Sequence, residues 1–203
     1  MQTIKMILTG DFIKSFPHYF PKQIDLLPWK ITNKLSEIIT ELIAGLYESY
    51  NIDNGIAIHK TATIGTGAII KAPAIVGASC FVACNAYLRG GVYLADNVKV
   101  GTGVEIKSSI IFSNSAIAHF NFIGDSIIGS HVNFEAGAIV ANHFNERINK
   151  IISVFYDGQT INTGITKFGA LVGDHCKIGA NAVLSPGTIL LPGTIVKRLG
   201  LIE

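Results

Sequence analysis

From Ile58 onward an apolar residue returns every six positions: Ile58, Ile64, Ile70, Val76, Val82, Leu88, Leu94, Val100, Ile106 and Phe112. Hydrophobic residues make up 49% of the chain, so an unbroken run in one phase would arise by chance on the order of once in a thousand. A second series of small or aliphatic residues follows four positions after the first: Ala62, Ala68, Ala74, Cys80, Ala86, Val92, Val98, Val104, Ile110 and Ala116. The pattern resumes at Val172, Ile178, Leu184, Leu190 and Val196, accompanied by Cys176, Ala182, Thr188 and Thr194. A period of six suits neither an α-helix nor a plain strand; it suits a short strand followed by a tight corner. Three such sides close a coil of about 18 residues, and stacked coils bury one continuous column that no single coil could bury alone.

The fold class predicted is mainly β, a left-handed parallel β-helix of hexapeptide repeats over 55–203, with a helical appendage over 1–54. Glycines cluster just after column positions, where corners need them, so the Gly-Thr-Gly at 65–67 reads as a corner and not as a phosphate loop; no helix start follows it. Two interruptions stand out, and repeat proteins tend to place function at such breaks. Between Phe112 and Ile128 the column reads Ala118, Ile123, Ile128, with two sides of five residues; over 141–171 no hexapeptide register fits. That excursion is expected to hold a hairpin of 151–156 and 159–161 across Asp157-Gly158. Ahead of the repeat, Pro17, Pro21 and Pro28 punctuate an aperiodic stretch, and Ile31, Leu35, Ile38, Ile39, Leu42, Ile43 and Leu46 then share one helical stripe. This predicts one amphipathic helix over 29–48. It either caps the open end of the β-helix, which is the simpler reading, or packs on a neighbouring subunit.

Lys and Arg number 16 against 14 Asp and Glu, a net charge of +2, too weak a field for nucleic-acid or anionic-membrane recognition. No apolar run reaches membrane-span length and the first residues lack a secretory pattern, so a cytoplasmic location is expected. Cys80, Cys84 and Cys176 show no metal-ligand spacing and are expected to be reduced, packed thiols.

Several local motifs go beyond periodicity. The chain reads Val104-Glu105-Ile106-Lys107, then Ala118-His119-Phe120-Asn121-Phe122-Ile123-Gly124-Asp125, Ile128-Gly129-Ser130-His131-Val132-Asn133, Ala136-Gly137-Ala138-Ile139 and Asn142. Lys167-Phe168 precedes Val172-Gly173-Asp174, and Arg89 lies in Leu88-Arg89-Gly90-Gly91. Over 89–179 this resembles the acetyltransferase half of the bifunctional N-acetylglucosamine-1-phosphate uridyltransferase/glucosamine-1-phosphate acetyltransferase family. The resemblance implies an acetyl-CoA-dependent N-acetyltransferase acting on an amino-sugar 1-phosphate, working as a homotrimer without a metal. It implies His119 as catalytic base, Arg89, Lys107, Phe122, Asn133, Asn142 and Lys167 at the acceptor, and Ala180, Lys197 and Arg198 at CoA. The chain departs from that family in several ways. It has no uridyltransferase half, so a separate nucleotidyltransferase partner is a further expectation. Phe122 and His143 stand where the family commonly has tyrosines, the loop is longer, and the C-terminal arm is missing. These differences bear on the acceptor, leaving open another sugar, nucleotide-linked or acylated on oxygen.

Residue chemistry alone supports part of this. Amide formation from a thioester needs a base for the amine, and histidine titrates near neutrality. His131 and His143 follow His119 at 12-residue intervals, two sides apart on an 18-residue coil, so the three do not converge as the ligands of a zinc hydratase would. Arg89 and Lys107 lie one coil apart and stack as a cationic pair suited to a phosphate. Counting sides returns Asn142 to that edge and puts His119 with Asn133 on another, so only a neighbouring subunit could unite base and clamp. The remaining alternative is a non-catalytic trimeric module.

Overall fold

The computed structural model describes residues 6–203. From Ile56–His59 onward short strands stack into a left-handed parallel β-helix with three faces, and every rung pairs in parallel with the next. The second face is a seven-stranded parallel sheet from Thr63–Ile64 to Ile195–Val196. The first and third faces form one larger sheet because Tyr87–Leu94 and Glu105–Ile111 run unbroken across the corner between them. Inside, Val82, Val100, Ile117, Phe134 and Ile178 line the second face, and Leu88, Ile106, Ile123, Val140 and Leu184 line the third. Dry stacking of these side chains is what makes two- and three-residue strands stable together.

The column differs from the expected one at the first break. Ile111 and Ile117 point inward, while Phe112 and Ile110 point outward and Ala118 and Ala116 are only half-buried. The five-residue sides are therefore Ile106 to Ile111 and Ile123 to Ile128. Phe112 is drawn out by aromatic company, its ring lying 5.7 to 6.2 Å from those of Tyr19, Phe20 and Phe16. The small interior row, two residues before each column residue, turns polar here: Ser109, Ser115, Asn121 and Ser126 are all buried. Their side chains bond backbone instead of packing. Ser115 Oγ donates to the Gly129 carbonyl and accepts from the Val132 N–H, and Ser126 Oγ donates to the Gly124 carbonyl and accepts from the Ala170 N–H.

The predicted amphipathic helix neither caps the open end nor forms in one piece. Short helices Thr9–Phe12, Phe16–Tyr19, Pro28–Asn33 and Leu35–Ile43 lie along the first face, with a break at Lys34. They are fixed there by Ile7, Phe12, Phe16, Phe20, Trp29, Ile31, Leu35 and Ile39, which pack on the outward side chains Ile75, Ile110, Ile127 and Leu171. Polar anchors set the position: the Lys14 N–H donates to Asp174 Oδ2, and Ser36 Oγ donates to the Gly90 carbonyl. The exposed edge of the first rung is covered by Tyr50–Asp53, antiparallel to Ile56–His59 across a tight Asn54-Gly55 turn in which both residues have positive φ. The excursion leaves after Val140 and returns at Ala170–Val172, and its hairpin forms as the pattern predicts, Ser153–Tyr156 against Gln159–Asn162. Cys80 and Cys176 are buried, but Cys84 is exposed, contrary to the packing expected of it. Its position opens onto a corner facing Thr102.

Candidate functional site

The corner between the third and first faces gathers nearly every irregularity of the coil. Here lie the Gly90-Gly91 bulge opposite Ser108, both five-residue sides and the root of the excursion. Short sides turn the chain tightly, with Ser108 and Asp125 in the left-handed region. Arg89 and Lys107 stack on adjacent rungs of this edge, as the residue count predicts. They do not form a free cationic pair, however. Arg89 bonds Glu105 at 2.6 Å and Lys107 bonds Asp125 at 2.7 Å, the latter pair only 16% and 10% exposed. The edge is thus charge-balanced. Arg89 spends two N–H donors on Glu105 and Lys107 two on Asp125 and Ser108, so each retains donors for a ligand.

Asn142 joins this edge, its Nδ2 donating to Asp125 Oδ2 while its Oδ1 faces His143 Nδ1 at 3.1 Å. Phe122 reaches it too, since its ring and the Asn142 amide both cover Gly124. The Phe168 N–H holds the Asn142 carbonyl and the Gly169 N–H holds that of Asp125, which ties the foot of the loop to the edge. Lys167, just before, is exposed and makes no ion pair among the described residues.

His119 stands on the corner between the second and third faces, exposed, with no hydrogen bond to its imidazole among the described residues. Its carbonyl accepts from the Gly137 N–H of the next rung and from Asn121 Nδ2. Asn133 projects from the second face one coil later. An open groove of about 490 Å³ begins there, lined by Asn133, Glu135, Lys177, Lys197 and Arg198. The groove contains a surprise relative to the sequence reading: Glu135 holds Arg198 through two hydrogen bonds of 2.7 and 2.8 Å and accepts the Ala180 N–H at 2.9 Å. These donors hold the Glu135 carboxyl at about 2, well below its ordinary range. The Ala180 N–H is therefore not free to bind an oxyanion. Arg198 likewise faces an internal carboxylate.

Residues 51–166 match the family model of the GMPPB C-terminal domain, more than half of the chain. The chain belongs to this family. The GMPPB C-terminal domain family is a hexapeptide-type β-helix associated with sugar nucleotidyltransferases, which agrees with the hexapeptide repeat read from the sequence. The match takes in Arg89, Lys107, His119, Phe122, Asn133 and Asn142, and stops short of Lys167, Ala180, Lys197 and Arg198. No curated protein matches the chain. Among the described residues no helix is long and apolar enough to cross a membrane, and no group of three His, Cys, Asp or Glu side chains is placed to hold a metal ion.

Sequence reasoning missed Glu105, Asp125 and Glu135, the carboxylates that engage the predicted cations. Asp125 was within reach of the same count, because it lies 18 residues after Lys107. Glu135 was not, because its bond to Arg198 spans the excursion.

Proposed function

We propose that this chain is an acyltransferase that moves an acetyl group from acetyl-CoA to the amine of an amino-sugar phosphate, at a site shared between copies of a trimer. The observation that carries the reading is the division of polar equipment between two corners. One bears an exposed imidazole and, from the next rung on, an open groove lined by Asn133, Lys177 and Lys197; the other bears stacked Arg89 and Lys107 with the loop foot at Asn142. Two corners of one prism face apart, so each needs the other from a neighbouring copy.

In this reading the neutral His119 imidazole takes a proton from the acceptor amine as its nitrogen bonds the thioester carbon, and the thiol of CoA departs when the tetrahedral intermediate collapses. The Ala136 N–H lies on the rung next to His119 and has no partner among the described residues, so it is the backbone donor available to the developing oxyanion. Lys177 and Lys197 supply charge for the phosphates of CoA along the groove. Arg89, Lys107 and Lys167 meet the sugar phosphate with their remaining donors.

Thiol release from acetyl-CoA, measured against a panel of amino-sugar phosphates, nucleotide-linked amino sugars and hydroxyl acceptors, tests the reading. Turnover with an amine acceptor, lost in His119→Ala, and a light-scattering mass of three 21.7 kDa chains are expected. A protein that neither binds CoA nor releases thiol with any acceptor is a non-catalytic module, and the reading fails.

A further inference from the structure

The corner that carries His119 also carries a ladder of residues in the left-handed region, one per coil: Gly67, Asn85, Gly103, Phe120, Gly137, Asn181 and Leu199. Most are the residue types that tolerate this conformation, glycine freely and asparagine better than others. The ladder also has a packing rule. Each glycine is covered by the side chain of the next rung: Asn85 Oδ1 lies over Gly67, Asn181 Oδ1 over Gly137, and the Phe120 ring over Gly103. Where the rule elsewhere uses asparagine, the position directly after His119 uses a phenylalanine.

Phe120 gains little for the fold in exchange. A bulky side chain at φ 57 is disfavoured, and its ring stays 68% exposed. Among the described residues its one aromatic neighbour is His119, with centroids 6.5 Å apart. The ring leans back toward Gly103, on the coil of Lys107, and so away from the groove formed by Lys177 and Lys197. A flat apolar surface held open beside the base, at the height of the phosphate edge, suits the C–H face of a pyranose.

We infer that Phe120 is the specificity platform for the acceptor, stacking under the sugar ring whose amine His119 deprotonates. This inference rests on the acyltransferase reading. It assigns a residue that the motif resemblance leaves without a role. It also gives the acceptor a chemical class, a ring with one apolar face, beyond the anionic group that Arg89 and Lys107 meet.

The test is Phe120→Asn, which restores the residue found at the equivalent rungs, alongside Phe120→Tyr, which keeps the aromatic face. Phe120→Asn is expected to raise Tm by about 2–4 °C through relief of the left-handed phenylalanine, and to raise the acceptor KM about tenfold. The KM for acetyl-CoA should stay put and kcat should change far less than KM, because stacking acts in the ground state as in the transition state. Phe120→Tyr should retain the wild-type acceptor KM. An unchanged acceptor KM in Phe120→Asn overturns the inference; so does a rise confined to acetyl-CoA, a fall in Tm, or a loss of the trimer. Wild-type protein that turns over no acceptor removes the acyltransferase reading and this inference with it, whereas wild-type turnover with an unaffected Phe120→Asn removes the inference alone.

Discussion

Replacing Val100 with aspartate places a carboxylate on the inward row of the second face, between Val82 and Ile117. Val100 is fully buried and the column around it is apolar on all three faces. Losing the valine burial costs about 1.5–3 kcal/mol. An unpaired ion in that interior costs several kcal/mol more. The sum is comparable with the whole stability of a domain, ~5–15 kcal/mol. Lys99→Asp is the control: one residue earlier, the side chain is exposed and points away, so its cost should stay within about 0.5 kcal/mol. Urea unfolding followed by circular dichroism measures both. A buried aspartate has its pKa raised above the ordinary value of about 3.9, so the folded state holds more protons than the unfolded one. Stability of the Val100→Asp variant should therefore recover partly as pH falls from 7 toward 4. A variant that unfolds at the same urea concentration as Lys99→Asp would refute the inward assignment of this row.

His119→Ala should lower kcat by about 10²- to 10⁴-fold while CoA binding, measured by thermal shift, persists. Arg89→Ala should instead raise the acceptor KM with little change in kcat, as the steady-state parameters will show. Glu135→Gln frees Arg198 and the Ala180 N–H, so CoA should bind several-fold more tightly by calorimetry at pH 7; because the Glu135 carboxyl titrates at about 2, lowering the pH of the wild type to 5 should not reproduce the effect. Ser126→Ala strands the buried Ala170 N–H and Gly124 carbonyl, at a cost of about 1–3 kcal/mol in chemical unfolding.

The β-helix was legible because its signal is periodic and repeated, and a side chain facing inward at one rung predicts the next. The signal blurs where neighbours are equally apolar. In Ile110-Ile111-Phe112 any of the three could face the core, and only the aromatic cluster on Tyr19 and Phe20 decides that Phe112 does not. Polar interior residues blur it further, since Ser109 and Asn121 look like corner residues until their backbone partners are seen. The N-terminal segment was legible as helical but not in its placement: the outward apolar residues of the first face, such as Ile75 and Ile127, are a docking surface only once the strand faces are known. At the candidate site, counting put Arg89, Lys107 and Asn142 on one edge correctly. The same count reaches Asp125 beside Lys107 but not Glu105 beside Arg89, a pair 16 residues apart, because that bond depends on diagonal side-chain reach between rungs.

The buried serines have one more consequence, for how the chain finds its shape. In a solenoid of interchangeable rungs a half-formed coil can dock one turn out of step, and an apolar column alone tolerates the slip because valine packs on leucine anywhere. Hydroxyls are less forgiving. Ser115 needs the Gly129 carbonyl and the Val132 N–H, and a slipped coil would leave it unpaired at about 1–3 kcal/mol. Ser126 sets the same condition across the excursion, since its partner Ala170 lies 44 residues on. After wandering through the hairpin, the chain can close its next coil at full stability only where Ala170 meets Ser126. These polar positions act as index marks on an otherwise uniform spool, telling each turn which neighbour is its own.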